Sequence, residues 1–73
     1  MPQHKQQFIV EVFGPTGTSY GYVKSMLYSR GRYQTTRNVP FAKKYTTFDQ
    51  AAYDIDLLVR YDITLRCQVT QIA

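Results

Sequence analysis

Residues 47–62, TFDQAAYDIDLLVRYD, carry the clearest structural signal in the chain. Its start fits a capping box, in which the Thr47 hydroxyl accepts a hydrogen bond from a first-turn amide and Gln50 reaches back. Asp49 in the first turn and Arg60 in the last turn both suit the helix dipole. The apolar residues recur at i, i+3, i+4 and i+7, the spacing of one buried stripe: Phe48, Ala51, Ala52, Ile55, Leu58 and Val59. The stretch therefore predicts one amphipathic helix with Leu58 at the centre of its buried face.

The flanking sequence predicts strands. Residues 7–13 are rich in β-branched and aromatic side chains, and Phe8, Val10 and Val12 fall on one face. A Gly-Pro turn at residues 14–19 leads to a second strand over residues 20–29, which the short loop makes antiparallel to the first. Gly31 suits a further turn, because glycine adopts positive φ without strain. A polar third strand, residues 33–37, is predicted at an edge of the sheet. Residues 41–45 form either a single helical turn or a short extended piece.

After the helix the hydrophobic period changes to two, because Ile63, Leu65, Cys67 and Val69 alternate with polar residues. The predicted order is β-β-β-α-β, a small α+β domain in which one helix packs on one face of an antiparallel-dominated sheet. Residues 1–73 form a single domain, with residues 1–6 expected to be flexible. We expect the uncovered face of the sheet to carry Ile9, Phe13 and Ile72 among polar residues.

Composition excludes several classes of protein. Hydrophobic residues make up 44% of the chain, which is typical of a globular domain. No apolar run reaches the roughly 18 residues of a membrane span, and the polar start is unlike a signal peptide. A secreted domain of this size usually carries several disulfides, whereas Cys67 is the single cysteine. We therefore expect a cytoplasmic protein without membrane contact.

No residue pattern predicts catalysis or a cofactor. The single histidine, His4, lies in the segment expected to be flexible, and Cys67 lies in an apolar row, where a small buried residue is the expected role. One Cys and one His cannot supply a zinc shell. Asp54 and Asp56 point to different sides of a helix and are interpreted as part of a solvated helix face. The sequence thus favours a non-enzymatic protein that binds no metal or cofactor.

Charge is unevenly distributed along the chain. Residues 20–47 contain six cations and no acid, whereas residues 48–62 contain four acids and one cation. Tyrosines are interleaved with these cations, a mixture that sheets use to stack on bases and neutralise phosphates. The sequence therefore predicts nucleic-acid binding through a basic, tyrosine-rich sheet surface. The residues expected to contribute charge are Lys24, Arg30, Arg32, Arg37, Lys43 and Lys44, and those expected to stack are Tyr22, Tyr28 and Tyr33.

Two other classes of function stay open. An uncovered sheet face or a free edge strand could instead bind protein, either a second copy in a homodimer or a host protein that the chain inhibits. A small structural protein of a virion is the third possibility. The tyrosines and lysines would then serve cross-strand packing and solubility.

Two segments support a resemblance: Tyr33-Gln34-Thr35-Thr36, and AKKYTTFDQAA at residues 42–52. Together with the hairpin before them and the strand after them, they are similar to small uncharacterised accessory proteins of phages and mobile elements from Gram-positive bacteria. The resemblance covers roughly residues 8–72 and brings no functional residues with it. It implies a setting in which such proteins bind phage nucleic acid or inhibit a host protein, as anti-CRISPR-like inhibitors do.

Overall fold

A computed structural model describes residues 6–73. Its elements are β1 (Phe8–Phe13), β2 (Ser19–Leu27), β3 (Arg32–Thr36), α1 (Phe48–Tyr61) and β4 (Arg66–Gln71), with short 3₁₀ turns at Tyr28–Arg30 and Val39–Phe41. The predicted β-β-β-α-β order and α+β class are confirmed. The expectations about residues 1–5, including His4, lie outside the described residues.

The four strands form one sheet in the order β3-β2-β1-β4, and every neighbouring pair is antiparallel. The predicted edge position of β3 is confirmed, with β4 at the other edge. The turn from the first 3₁₀ segment into β3 uses Gly31, whose φ of 61° is the positive value expected of it. Of the two alternatives for residues 41–45, the short extended piece is confirmed: the 3₁₀ turn at Val39–Phe41 ends where this stretch begins, and Tyr45 forms an isolated bridge with Phe8.

The hydrophobic core lies between α1 and one face of the sheet. The predicted inward row of β1 is confirmed, since Phe8, Val10 and Val12 all belong to the core. The other buried core residues are Val23, Met26, Tyr45, Ala51, Leu58 and Leu65. Leu58 is fully buried, as predicted for the centre of the helix stripe.

Only one of the two hydrogen bonds predicted for the capping box of α1 is present. The Thr47 Oγ1 atom accepts a hydrogen bond from the Gln50 amide at 3.1 Å. The Gln50 side chain does not return to Thr47. Its Oε1 atom accepts instead from the backbone amide and hydroxyl of Thr46, at 3.1 and 2.9 Å. Thr46 and Thr47 thus both tie the preceding segment to the first turn of the helix.

The buried face of α1 is rotated from the predicted stripe. Phe48 and Val59 are 58% and 37% exposed, whereas Asp54 is only 1% exposed. The interpretation of Asp54 as part of a solvated helix face is therefore wrong. The reason is a set of polar partners from outside the helix, which lie over this position and make its burial possible.

The end of α1 also differs from the prediction. Ile63 was assigned to the apolar row of the last strand, but it is 78% exposed. Asp62 accepts hydrogen bonds from both the amide and the hydroxyl of Thr64, and its carbonyl accepts from the Leu65 amide. This turn leaves Ile63 in solvent and delays β4 until Arg66. Cys67 is half-buried against the core.

The opposite face of the sheet, which we call the open face, is not covered by α1. Ile9, Glu11 and Phe13 of β1 alternate with the core residues and therefore lie on it. Ile9 is nevertheless only 2% exposed, whereas Glu11 and Phe13 are half-buried, so the open face is not equally accessible along β1. Ile72, placed on this face by the sequence, follows the end of β4 and is 37% exposed.

Candidate functional site

Strand register determines which of the predicted binding residues share the open face. Tyr22 of β2 lies opposite Glu11 on one side and Thr36 on the other. Arg32 of β3 lies opposite Leu27, and Arg66 of β4 lies opposite Phe13. Directly paired residues project from the same face of a sheet. Glu11 and Phe13 lie on the open face, and so does Leu27, because it follows the buried Met26. Tyr22, Arg32 and Arg66 therefore share the open face.

A β-bulge decides the position of the remaining side chains of β2. The register shifts between Val23 and Ser25, so Lys24 is an extra residue on β2. Val23 and Met26 are both buried in the core although they are three residues apart, which shows that the bulge reverses the alternation. Lys24 itself is exposed. Tyr22, before the bulge, and Tyr28, after it, therefore lie on different faces of the sheet.

The open face carries an excess of positive charge. Its cations are Arg32 and Arg66, joined by Lys24 at the bulge of β2; all three are exposed, and the acid of this face is Glu11. Glu11 is half-buried and accepts a short hydrogen bond of 2.6 Å from the Ser19 hydroxyl. Arg66 was missed by the sequence reasoning. The signal that could have found it is its polar position in the alternation of β4, once β4 is paired with β1.

Arg30 and Arg37 lie at the two ends of β3 and are both exposed. Arg30 ends the 3₁₀ turn after β2, so that Arg30 and Arg32 flank Gly31 at the predicted tip of the hairpin. Arg37 directly follows β3. These two arginines extend the positive surface beyond the strand itself.

Lys43 and Tyr28 belong to a different site, which we call the Asp54 cluster. The Asp54 carboxylate accepts hydrogen bonds from Tyr28 Oη at 2.8 Å, Lys43 Nζ at 2.8 Å and Tyr45 Oη at 2.6 Å. Lys43 also donates to Tyr28 Oη at 2.6 Å and lies about 5 Å from the ring centres of Tyr28 and Tyr45. The four residues thus form a closed network on the helix side of the sheet.

The pKa directions in the Asp54 cluster agree with this geometry. Burial lowers the pKa of Lys43, but the hydrogen bonds to Asp54 and Tyr28 outweigh it and raise the pKa overall. Burial, followed by the hydrogen bond to Asp54, raises the pKa of Tyr45 far above its ordinary value. At neutral pH the cluster therefore holds a charged Lys43 and a neutral Tyr45.

Lys44 and Tyr33 are also engaged within the fold. Lys44 Nζ donates to the carbonyl oxygens of Val39 and Ala42, each at 2.7 Å, and so closes the second 3₁₀ turn. Tyr33 is paired with Met26 and packs against the core on the helix side. Burial, with the nearby charge of Asp62, raises its pKa. Tyr33 is therefore not placed to stack on a ligand at the open face.

An open pocket of about 430 Å³ lies over the Asp54 cluster. It is lined by Tyr28, Lys43, Lys44, Tyr45, Asp49, Gln50, Tyr53 and Asp54. The rings of Tyr28 and Tyr53 form one wall, with centres 6.5 Å apart, and both are about half exposed. The pocket thus combines aromatic walls with a hydrogen-bonded floor.

The described residues offer little for nucleophilic or metal chemistry. Burial raises the pKa of the Cys67 thiol, which opposes formation of the reactive thiolate. In residues 6–73 no group of three or more His, Cys, Asp or Glu side chains is arranged to hold a metal ion. The helix that the structure describes is too short and too polar to cross a membrane.

Comparison with protein families, curated proteins and solved structures finds no match to this chain. Function must therefore be inferred from its own residues. Two features stand out: the positive open face, and the pocket over the Asp54 cluster.

Proposed function

We propose that this protein is a non-enzymatic binding module that holds single-stranded nucleic acid on the open face of its sheet. The observation that carries the proposal is the shared face of Tyr22, Arg32 and Arg66, with the exposed Lys24 beside them at the bulge of β2. It contains three exposed cations against one acid, which is already hydrogen-bonded to Ser19. A cytoplasmic accessory protein of a phage or mobile element is the setting that we propose for it.

The chemistry of binding divides between charge and stacking. Arg32 presents a planar guanidinium group that suits phosphate oxygens, and Lys24 adds a point charge. Arg66 Nη1 donates to the carbonyl oxygens of Leu65 and Ile63, at 3.1 and 3.4 Å, so its contact with a phosphate would use its other N–H donors. Tyr22 and Phe13 are half-buried side chains on the same face, with rings available for base stacking. Arg30 and Arg37 continue the path of the backbone past both ends of β3. Lys43, Lys44, Tyr28 and Tyr33 are engaged elsewhere in the fold and have no part in this contact.

The proposal is tested by fluorescence anisotropy with a labelled single-stranded oligonucleotide. Arg32→Ala should weaken binding similarly for all sequences, because phosphate contacts carry no base information. Arg60→Ala is the matched control, since it removes one exposed arginine from the helix side, where Arg60 pairs with Asp56 at 3.1 Å. Equal loss of affinity in both variants would mean that only net charge matters and would overturn a site on the open face.

Stacking is tested separately at Tyr22. Tyr22→Ala should cost about 1–3 kcal/mol of binding free energy, the range for one base on an aromatic side chain. Tyr22→Phe should retain most of the affinity, because the ring is kept. A Phe variant as weak as the Ala variant would assign the role to the hydroxyl and remove the stacking argument.

A protein partner is the second candidate, favoured by the exposed apolar turn before α1. Phe41 is 63% exposed and Val39 is 37% exposed, and β3 offers a free edge near by. The partner would be a second copy of the chain or a host protein. Light scattering at high protein concentration tests the homodimer: a dimer whose formation is lost in Phe41→Ser supports it, whereas a monomer at every concentration removes it.

A further inference from the structure

We propose that the pocket over the Asp54 cluster binds a single neutral planar ring with a hydrogen-bond acceptor at its edge, namely a nucleobase. This site lies on the helix side of the sheet and does not depend on strand binding at the open face. The volume, about 430 Å³, is within the range of roughly 300–1,000 Å³ typical of small-ligand sites.

The walls favour an aromatic ligand. Tyr28 is 49% exposed and Tyr53 is 62% exposed, although both are large rings in contact with each other at a tilt of 46°. Tyr53 lies on α1 next to Asp54, and Tyr28 is held by its hydrogen bonds to Asp54 and Lys43. At least one of the two rings is therefore fixed in position before any ligand arrives, which lowers the entropy cost of binding.

The floor favours a hydrogen-bond acceptor. An ammonium group has three N–H donors. Lys43 uses its donors on Tyr28 and Asp54, at 2.6 and 2.8 Å, and its side chain is 31% exposed. Lys43 lines the pocket, and its third N–H donor has no hydrogen-bond acceptor among the described residues. A purely apolar ring, such as a phenylalanine side chain, would bury that donor without a partner, which is unfavourable.

The charges of the pocket favour a neutral ligand. Its cations, Lys43 and Lys44, are balanced by two carboxylates, Asp49 and Asp54. The lysines would attract an anionic ligand, but the carboxylates would repel it. A cationic ligand would be attracted by the carboxylates and repelled by the lysines. The Gln50 side chain at the mouth adds an amide group, whose Oε1 is already used by Thr46. A base edge, which presents donors and acceptors without net charge, matches this arrangement.

The nucleobase could belong to a free nucleotide or to one residue of a strand, and a titration followed by NMR separates these sources. The probes are adenosine, uridine, their 5′-monophosphates, a short single-stranded oligonucleotide and N-acetylphenylalanine amide. We expect saturable shifts of the Tyr28 and Tyr53 ring resonances with the nucleosides. If Tyr53→Ala also weakens binding of the oligonucleotide, the base comes from a strand. If it weakens binding of the mononucleosides alone, the ligand is a free nucleotide.

The variants keep this inference separate from the proposed function. Tyr53→Ala should weaken nucleoside binding at least about fivefold, the lower end of the range for one stacked base. Because Tyr53 is exposed on the helix surface, this variant should still fold. Tyr22→Ala should leave nucleoside binding unchanged, although it should weaken binding of a nucleic-acid strand at the open face.

Absence of saturable shifts with every nucleoside and nucleotide would overturn the pocket site, whatever the oligonucleotide does. Binding of N-acetylphenylalanine amide as tightly as adenosine would also overturn it and point to an aromatic peptide side chain. Oligonucleotide binding that fails while adenosine binds would reject the open-face proposal and leave the pocket site standing.

Discussion

Among single residues, Asp54 links three separate parts of the fold. It is a carboxylate with 1% exposure on the buried side of α1, and such a group is costly unless it is hydrogen-bonded and paired. Its three partners supply these hydrogen bonds to the carboxylate. Among the described residues no buried side-chain polar atom lacks a hydrogen bond. The network ties α1 to the 3₁₀ turn after β2 through Tyr28, and to the segment before the helix through Lys43 and Tyr45.

Tyr45→Phe tests the energetic weight of this network. The substitution keeps the buried ring and removes the hydroxyl that donates to Asp54 at 2.6 Å. We expect the free energy of unfolding in urea to fall by about 1.5–3 kcal/mol, the range for a hydrogen bond to a charged group. Tyr53→Phe, at an exposed ring, serves as the control and should change it by less than about 0.5 kcal/mol. Equal stability of the two variants would show that the Tyr45 hydroxyl contributes nothing to folding.

The same cluster predicts how stability depends on pH. The pKa values of Lys43 and Tyr45 are both raised in the folded protein, from ordinary values of 10.5 and 10.0. The folded state therefore holds both protons more tightly than the unfolded state. The resulting stabilisation is complete at pH values below the ordinary pKa values. It is lost as the pH rises through the pKa values of the folded state. Thermal melts should show the melting temperature falling above pH 10, and less steeply in Tyr45→Phe. A melting temperature that is constant or rises there would contradict the assignment.

Among the elements, α1 supplies the helix side of the hydrophobic core that the described residues form. Leu58 is fully buried in that core, which also includes Val10 and Val12 of β1. Small domains have little stability to spare, so the loss of one such side chain is serious.

Leu58→Ala should therefore lower the free energy of unfolding by about 2–5 kcal/mol, enough to unfold much of the population. Ile63→Ala is the matched control, because Ile63 is of similar size but 78% exposed, and it should change stability by less than about 0.5 kcal/mol. Circular-dichroism melts of both variants make the comparison. A Leu58→Ala melt within a degree or two of the parent would mean that the buried face of α1 is assigned wrongly.

The elements could be predicted from the sequence because their signals are local. The cap at Thr47, the apolar row of β1 and the glycine after Arg30 each lie within a few residues of the structure that they determine. The burial of Asp54 could not be predicted in this way, since Tyr28 lies 26 residues away and becomes a neighbour only through the fold. Seen along the helix alone, Asp54 has the pattern of a solvated residue.

The sequence predicts that Tyr22, Lys24 and Tyr28 belong to one surface. The bulge at Lys24 explains why the structure places Tyr28 elsewhere. Without the bulge, Tyr22, Lys24 and Tyr28 are separated by even numbers and would share one face of β2. The extra residue reverses the alternation, so that Tyr28 joins the Asp54 cluster while Tyr22 stays on the open face. A bulge of this kind has no glycine or proline to mark it in the sequence.

At the scale of the whole molecule, charge is divided between the two sides of the sheet. The open face and the ends of β3 carry five exposed cations: Lys24, Arg30, Arg32, Arg37 and Arg66. On the helix side, Lys43 and Lys44 lie beside Asp49 and Asp54, and Arg60 is bound to Asp56, so that these charges cancel. We expect the positive excess on the opposite side to attract a polyanion to the open face.

The salt dependence of oligonucleotide binding is the decisive test of strand binding at the open face. Each phosphate of a single strand that a cation neutralises contributes about −0.7 to the slope of log K against log salt. With three to five such contacts we expect a slope of about −2 to −3.5, shallower by about 0.7 in Arg32→Ala and unchanged in Arg60→Ala. Fluorescence anisotropy over a range of salt concentrations gives the three slopes. No binding at low salt, or an Arg32→Ala slope equal to that of the parent protein, would contradict nucleic-acid binding at the open face.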